Sequence, residues 1–325
     1  MDYSSGFSNN GNSDDATMSV RRYDILKFTR YTDVEQFKDD VLDILLEDEV
    51  QNNLPVSIVL NSSQYNSDNW LLSTVTDNEG VIVLVAICTL PFNILLYEPL
   101  RGDKGDKRGR YDIVTRLCDN IVPSPFVTLA SNLKRIGFSP PGVLAESGLA
   151  RCFADAYCGD NGGKLKMTMK LMKLDNLAEY KQSPGFCRML KEEDLSFTPS
   201  WEHAFSIDCG LPVFSYAENY DRIKSRLDKK IHFIWEDGEP VAQAVYGRET
   251  PNGAAVNWVY TPPRFRGRGY ATSVVAELSK SLLDDGKKFC YLFADAANPA
   301  SCAVYHKLGY YDVCIFDEII FDTGS

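Results

Sequence analysis

Between residues 256 and 271 the sequence reads Val-Asn-Trp-Val-Tyr-Thr-Pro-Pro-Arg-Phe-Arg-Gly-Arg-Gly-Tyr-Ala. The ten residues from Thr261 to Tyr270 hold three arginines, Arg264, Arg266 and Arg268, and no acid, within a chain of net charge −11. Gly267 and Gly269 let the backbone approach a ligand closely and turn successive N–H groups toward it. A helix follows directly, with Ala271, Val274, Val275, Leu278, Leu282 and Leu283 as its apolar stripe. Its N-terminus adds about half a positive charge. A strand, a Gly-rich basic loop and a helix in that order make a cradle for a pyrophosphate. The competing reading is a solvated basic loop, and the strand–loop–helix context favours the cradle. Neither common nucleotide signature is present: no Gly-Lys-Ser/Thr follows, and Thr272 stands where Gly-x-Gly-x-x-Gly needs its third glycine.

The spacing Arg264-x-x-Gly267-x-Gly269 resembles the acetyl-CoA loop, Arg/Gln-x-x-Gly-x-Gly/Ala, of the GNAT superfamily of N-acetyltransferases. Downstream, Asn298-x-x-Ser301-x-x-x-Tyr305-x-x-x-Gly309-Tyr310 resembles the second half of that family's motif. The two occur in the right order, separated by one helix and one strand. The resemblance implies an α/β fold with a mixed sheet, the GNAT acyl-CoA N-acyltransferase fold. In it the fourth and fifth strands splay apart to admit the pantetheine arm; here these are Ala254–Tyr260 and Phe289–Phe293. Backbone amides from Arg266 to Ala271, through Gly267, Arg268, Gly269 and Tyr270, would hold the pyrophosphate. The exposed backbone of Val259 would pair with the arm and stabilise the thioester oxygen as charge develops on it. Tyr260 and Thr261 would lie at the mouth of the groove. Asn298 would touch the arm and Ser301 would cap the next helix. Tyr305 matches the family's general acid: a phenol with a pKa of about 10 is suited to protonating a departing thiolate. The competing reading of Tyr305 is a core residue on a helix face. His306 is its neighbour, about 100° around a helix, and is not expected to act. Glu236, Glu249 and Asn257 do not match the family's usual base, which is left unassigned.

The elements that must position these residues are visible in the patterning. Apolar residues at Phe37, Val41, Leu42, Ile44 and Leu45 predict a helix within Asp33–Glu49. Asn69–Thr76 and Val81–Leu90 around Asp77-Asn78-Glu79-Gly80 predict a hairpin. A charged Gly-rich loop is expected over Arg101–Arg110, and helices over Tyr111–Ile121 and Leu144–Tyr157. Strict alternation at Leu165, Met167, Met169 and Leu171 predicts a half-buried strand over Lys164–Leu174. Cys187–Leu190 reads as a short strand, Glu192-Glu193-Asp194 as the acidic start of a helix, and Ala217–Lys229 as a second helix. Ile231–Trp235 and Val241–Tyr246 read as another hairpin. The halves rhyme: a Trp-bearing strand, an Asp/Gly turn, a long apolar strand, then Pro91 in the first and Pro262-Pro263 in the second. Two GNAT-like domains in tandem are therefore expected: 1–20 a disordered tail, 21–174 a degenerate N-terminal domain, 175–186 a linker and 187–325 the catalytic domain.

The balance of 34 Lys+Arg against 45 Asp+Glu argues against nucleic acid or an anionic membrane as partner. No stretch reaches the ~20 apolar residues a spanning helix needs. Nine cysteines without a C-x-x-C pair, and three scattered histidines, give no metal-ligand spacing. The expectation is a cytoplasmic protein with reduced thiols, Cys88, Cys290 and Cys314 lying in apolar runs. The resemblance implies acetyl-CoA as co-substrate, no metal, and a small-molecule or peptide amine as acceptor, with the acidic balance tilting slightly toward a cationic one. The alternative is an acyl-CoA-binding sensor or scaffold without chemistry.

Overall fold

Residues 25–64, 68–99, 124–159 and 162–321 are described by a computed structural model. The expected tail over 1–20, the loop at Arg101–Arg110 and the helix at Tyr111–Ile121 lie outside the described residues. The first half runs β1 (Lys27–Tyr31), α1 (Val34–Leu46), α2 (Asn53–Leu60), β2 (Trp70–Thr76), β3 (Ile82–Thr89), β4 (Ile94–Tyr97), α3 (Pro125–Arg135), β5 (Gly142–Glu146), α4 (Ser147–Cys158) and β6 (Lys164–Leu174). The second repeats the order with β7 (Phe186–Met189), α5 (Thr198–Asp208), α6 (Tyr216–Lys229), β8 (His232–Glu236), β9 (Pro240–Gly247), β10 (Gly253–Tyr260), α7 (Tyr270–Asp284), β11 (Phe289–Asp295), α8 (Pro299–Lys307) and β12 (Tyr311–Ile320).

The rhyme in the sequence is thus a rhyme in topology, with β2 and β3 matching β8 and β9. The prolines do not correspond, because Pro91 lies in the β3–β4 turn and Pro262 follows β10. Among the described residues the strands form one sheet, ordered β1-β2-β3-β4-β5-β12-β6-β11-β10-β9-β8-β7. The last strand of each half is exchanged. β6 pairs antiparallel with β11 (Cys290 opposite Leu174), and β12 pairs antiparallel with β5 (Phe316 opposite Glu146). β6 and β12 then pair with each other at the centre.

Local chemistry explains the element ends. Asp33 caps α1 by accepting from the Glu35 and Gln36 amides at 2.9 and 3.4 Å. Ser215 and Glu218 close a capping box on α6. The helix expected from Leu144 begins instead at Ser147, since Gly142–Glu146 is held as a strand between β4 and β12. The acids at 192–194 open a short 3-10 turn, and Asp194 is buried against Arg188 at 2.6 and 2.9 Å. In β6 the alternation fails at its start, where Leu165 is exposed. At its end Leu171 and Met172 are both buried, as befits a central strand covered on both faces.

The core of the second half lies between α7 and the sheet, with Val274, Val275, Leu278 and Leu282 packed on Phe233, Trp235, Ala244 and Val256. Each of the valine, leucine and phenylalanine side chains, fully buried, contributes about 1.5–3 kcal/mol. The segment 175–185 joining the halves is anchored along α7. Tyr180 donates to Glu277 at 2.9 Å, the Ser183 amide to Ser273 Oγ at 2.9 Å, and Ser183 Oγ to the Arg268 carbonyl at 2.9 Å. Cys88 and Cys290 are buried thiols and Cys314 is half-buried, but Cys152 takes part in a disulfide, so reduced thiols throughout do not hold. Among the described residues no helix is long and apolar enough to cross a membrane.

Candidate functional site

The two parallel neighbours β10 and β11 pair only at Gly253–Phe289, Ala254–Cys290 and Ala255–Tyr291. Beyond Ala255 they part. On its other side β10 breaks register with β9 between Asn257 and Tyr260, and Trp258 sits at φ +52°. This bulge turns the backbone of residues 258–260 away from β11 and opens a wedge toward the start of α7. The divergence expected of the fourth and fifth strands is therefore present.

At the open end of the wedge lies the Arg/Gly loop. Gly267 and Gly269 take φ of +78° and +84°, the left-handed region that favours glycine. A Cβ at Gly267 would meet nothing within 4 Å, so that side faces open space; one at Gly269 would come within 2.8 Å of Ser183 Oγ. The N–H groups of residues 267–272 make no hydrogen bond within the described chain, and α7 has no side-chain cap. The equivalent helix of the first half differs. α3 begins with Pro125, which has no N–H, Ser124 Oγ accepts from the Phe126 amide at 3.2 Å, and the Ser124 carbonyl accepts from the Thr128 amide at 2.9 Å.

The loop's positive charge is smaller than the sequence suggests. Arg264 pairs with Glu239 at 2.8 Å, and Arg266 pairs with Asp208 at 2.5 Å while donating to the Thr261 carbonyl at 2.9 Å. Arg268 forms no ion pair with a described residue and stays in solvent near Phe265. Tyr270 donates to Asp237 at 2.5 Å, which fixes the first turn of α7, and Ala271 follows half-buried.

Val259 is half-buried against the α7 core, and Tyr260 is buried edge-on to Phe205, 6.5 Å between centroids. The Thr261 hydroxyl is buried without a hydrogen-bond partner. At the other wall Asn298, not Ser301, caps α8: its Oδ1 accepts from the Ser301 amide at 3.1 Å. Ser301 belongs to the first turn, and its hydroxyl lies within polar reach of Tyr305 one turn on. The correction follows from the start of the helix at Pro299, which puts position 298 at the cap.

Tyr305 is 8 % exposed and packs edge-on to Tyr310 at 5.9 Å. Burial pushes its phenol up to about 12, so it keeps its proton at neutral pH. His306 points elsewhere, to Asp312 at 2.8 Å on the surface.

The carboxylates nearest the wedge are engaged. Glu236 holds Arg188 at 2.5 Å, Glu249 holds Lys287 at 2.8 Å, and the fully buried Glu202 holds Arg226 through two bonds of 2.7 and 2.9 Å. Sequence reasoning missed this last pair and the cleft beside it, of about 350 Å³, lined by Arg226, Ile231, Val245, Tyr246, Arg248 and Trp258 among others. Nothing in the sequence marks a non-glycine residue for a positive φ, so the bulge at Trp258 carried no signal.

A family profile described as the Acetyltransferase (GNAT) family matches residues 188–310. Those residues are a GNAT acetyltransferase domain. Many of the solved structures that resemble the chain are GNAT proteins, and several cover most of its length. A GCN5-related N-acetyltransferase from Sphaerobacter thermophilus superposes with a TM-score of 0.57 at 12% identity, over 90% of this chain and 94% of that one. A GNAT-family acetyltransferase from Colwellia psychrerythraea gives 0.56 at 12%, over 91% and 100%. A tandem GNAT protein from the clavulanic acid biosynthesis pathway gives 0.52 at 12%, over 91% and 98%. At these identities the likeness is one of fold, and it extends to the tandem arrangement. A search of curated proteins finds no match. The chemistry of the GNAT family is acyl transfer, with acetyl-CoA as the acyl donor.

Proposed function

We propose that this chain is an N-acetyltransferase that moves acetyl from acetyl-CoA to a primary amine by direct attack within a ternary complex. The observation that carries the reading is the wedge between β10 and β11, ending on unpaired amides at the start of a helix. The residues present fit the donor: a Cβ at Gly267 would meet open space, the N–H groups over 267–272 are unbonded, and the nearby Thr261 hydroxyl has no hydrogen-bond partner. When bound, acetyl-CoA supplies an activated thioester. The amides of residues 267–271 hold its pyrophosphate, with Arg268 as the loop's free cation. The Val259 backbone, freed from β11 by the bulge, orients the arm and steadies the thioester oxygen. Asn298 and Ser301 line the far wall through the first turn of α8. As the neutral amine nitrogen bonds the carbonyl carbon and the C–S bond breaks, Tyr305 would pass its proton to the departing sulfur, the nitrogen would shed one proton to solvent, and the phenolate would regain one from solvent. A phenol held near 12 is fully protonated for that task.

The engaged carboxylates favour one second reading, an acyl-CoA sensor that binds without chemistry. Release of free thiol from acetyl-CoA in the presence of a panel of amines separates the two. Amine-dependent thiol release with matching acetylated product supports transfer; acetyl-CoA binding without release across the panel supports the sensor.

A further inference from the structure

The cleft beside the bulge contains a cation that pairs with no carboxylate among the described residues. Arg248 follows β9 and turns its guanidinium inward, where it donates to Asn257 Oδ1 at 2.7 Å and lies 5.6 Å from the Phe293 ring. It therefore bridges β10 and β11 beyond the point where they part. Among the described residues it meets no carboxylate, although the chain carries an excess of acid. The contrast with its neighbour is sharp: Arg226, stacked 4.8 Å over Trp258, is neutralised by Glu202. A second observation is independent of charge. Three non-glycine residues among those described have positive φ, and two of them, Arg248 at +43° and Trp258 at +52°, line this cleft. Strain of this kind persists where surrounding contacts enforce it, and it concentrates at ligand sites. The Arg248 carbonyl is pinned by the Tyr291 hydroxyl, and Trp258 is pinned by Phe205 at 4.9 Å. Burial also presses the guanidinium's pKa below its ordinary value, the direction expected of a cation lacking its partner.

We infer that Arg248 anchors a carboxylate carried by the acceptor, so that the substrate is a small amino acid or similar amino-carboxylate. This rests on the acyl-transfer reading of the adjoining groove. A guanidinium fork matches a carboxylate through two parallel bonds, and Asn257 presets its orientation. The remaining walls, Ile231, Val245, Tyr246 and Trp258, are apolar or aromatic and suit a side chain. A volume of about 350 Å³ accommodates one amino acid. The local cation overrides the slight tilt toward a cationic acceptor drawn from net charge.

The test uses matched pairs, each an amino acid and the amine left by its decarboxylation: leucine with isoamylamine, phenylalanine with phenethylamine. Thiol release and binding to the CoA-loaded protein are measured for wild type, Arg248→Met and Arg248→Lys. Wild type is expected to favour the carboxylated member by roughly 100-fold in kcat/KM, the scale of a buried charge-assisted pair. The preference should collapse toward unity in Arg248→Met, and Arg248→Lys should recover part of it. Acetyl-CoA affinity within threefold of wild type certifies that each variant is folded. Amino acids that bind in an Arg248-dependent way without turnover would support the anchor while sinking acetyl transfer. Equal or better use of the decarboxylated amines by wild type, a preference that survives Arg248→Met, or binding of neither member of any pair would overturn the inference.

Discussion

Replacement of Gly267 by aspartate separates the phosphate cradle from a merely basic loop. At φ +78° any side chain adds left-handed strain of about 1–2 kcal/mol, but its Cβ meets nothing within 4 Å, so the fold tolerates it. The melting temperature should fall by about 2–8 °C. The carboxylate then points into the space where the pyrophosphate is proposed to sit. At about 5 Å and an effective dielectric near 20, one such repulsion is worth about 3 kcal/mol. That is more than 100-fold in affinity. Gly267→Ala carries the same strain without the charge and should lose less than about 10-fold. Because the groove is open to solvent, the aspartate's penalty should shrink in 1 M salt, where the Debye length falls to about 3 Å. Calorimetric titration with acetyl-CoA, beside a thermal melt of each variant, measures all of this. An aspartate variant that binds within threefold of wild type, or an alanine variant that loses as much as the aspartate, would refute the cradle.

Tyr305→Phe removes one hydroxyl from a packed site, so turnover should fall about 10- to 100-fold while acetyl-CoA affinity stays within threefold. Steady-state kinetics check it, and with the phenol near 12 the wild-type rate should show no loss from this group up to pH 10. Glu202→Ala leaves Arg226 without its partner in a buried setting and should destabilise the fold by about 3–5 kcal/mol in urea melts. His232 is buried with Nδ1 unpartnered, and desolvation drives its pKa down to about 3. The unfolded chain takes a proton there below pH 6.5 and the folded one does not. Stability should therefore drop as pH falls, by about 1.6 kcal/mol between pH 6.5 and 5, and His232→Gln should flatten that slope.

The left-handed turn before α7 was legible because it rests on residue types that only backbone chemistry demands: paired glycines at spacing two, directly before an amphipathic stripe. Tyr305 was singled out only through its place in a motif, since a buried tyrosine in a helix is otherwise unmarked. What the sequence hid are contacts across large separations. Asp208 and Glu239 neutralise two loop arginines from 58 and 25 residues away. The helical reading from Leu144 failed because β12, some 170 residues later, recruits Gly142–Glu146 as a strand. Gly142 permits that close approach, since a Cβ there would lie 2.3 Å from the Ile319 carbonyl. Arg248 drew no notice as one arginine among many; its meaning comes from the carboxylate it lacks.

The strand exchange changes what the first half contributes. Its sequence carries no Arg-x-x-Gly-x-Gly, and its α3 begins with Pro125 and takes its cap from Ser124. Yet β11, the far wall of the wedge, is held along Cys290–Asp295 by β6 of the first half. Glu49, just past α1, also grips the β9–β10 turn through the Asn252 amide and side chain at 2.7 and 2.6 Å. A wedge stays open only if both of its walls are fixed from outside. β10 is fixed by β9, and β11 has no other partner for that purpose than β6. The first half is thus a structural half of the site: without it β11 becomes an unpaired edge, free to close on β10 or to pair elsewhere. The same exchange gives the first half a part in the second: it supplies the strand that fixes β11 along Cys290–Asp295.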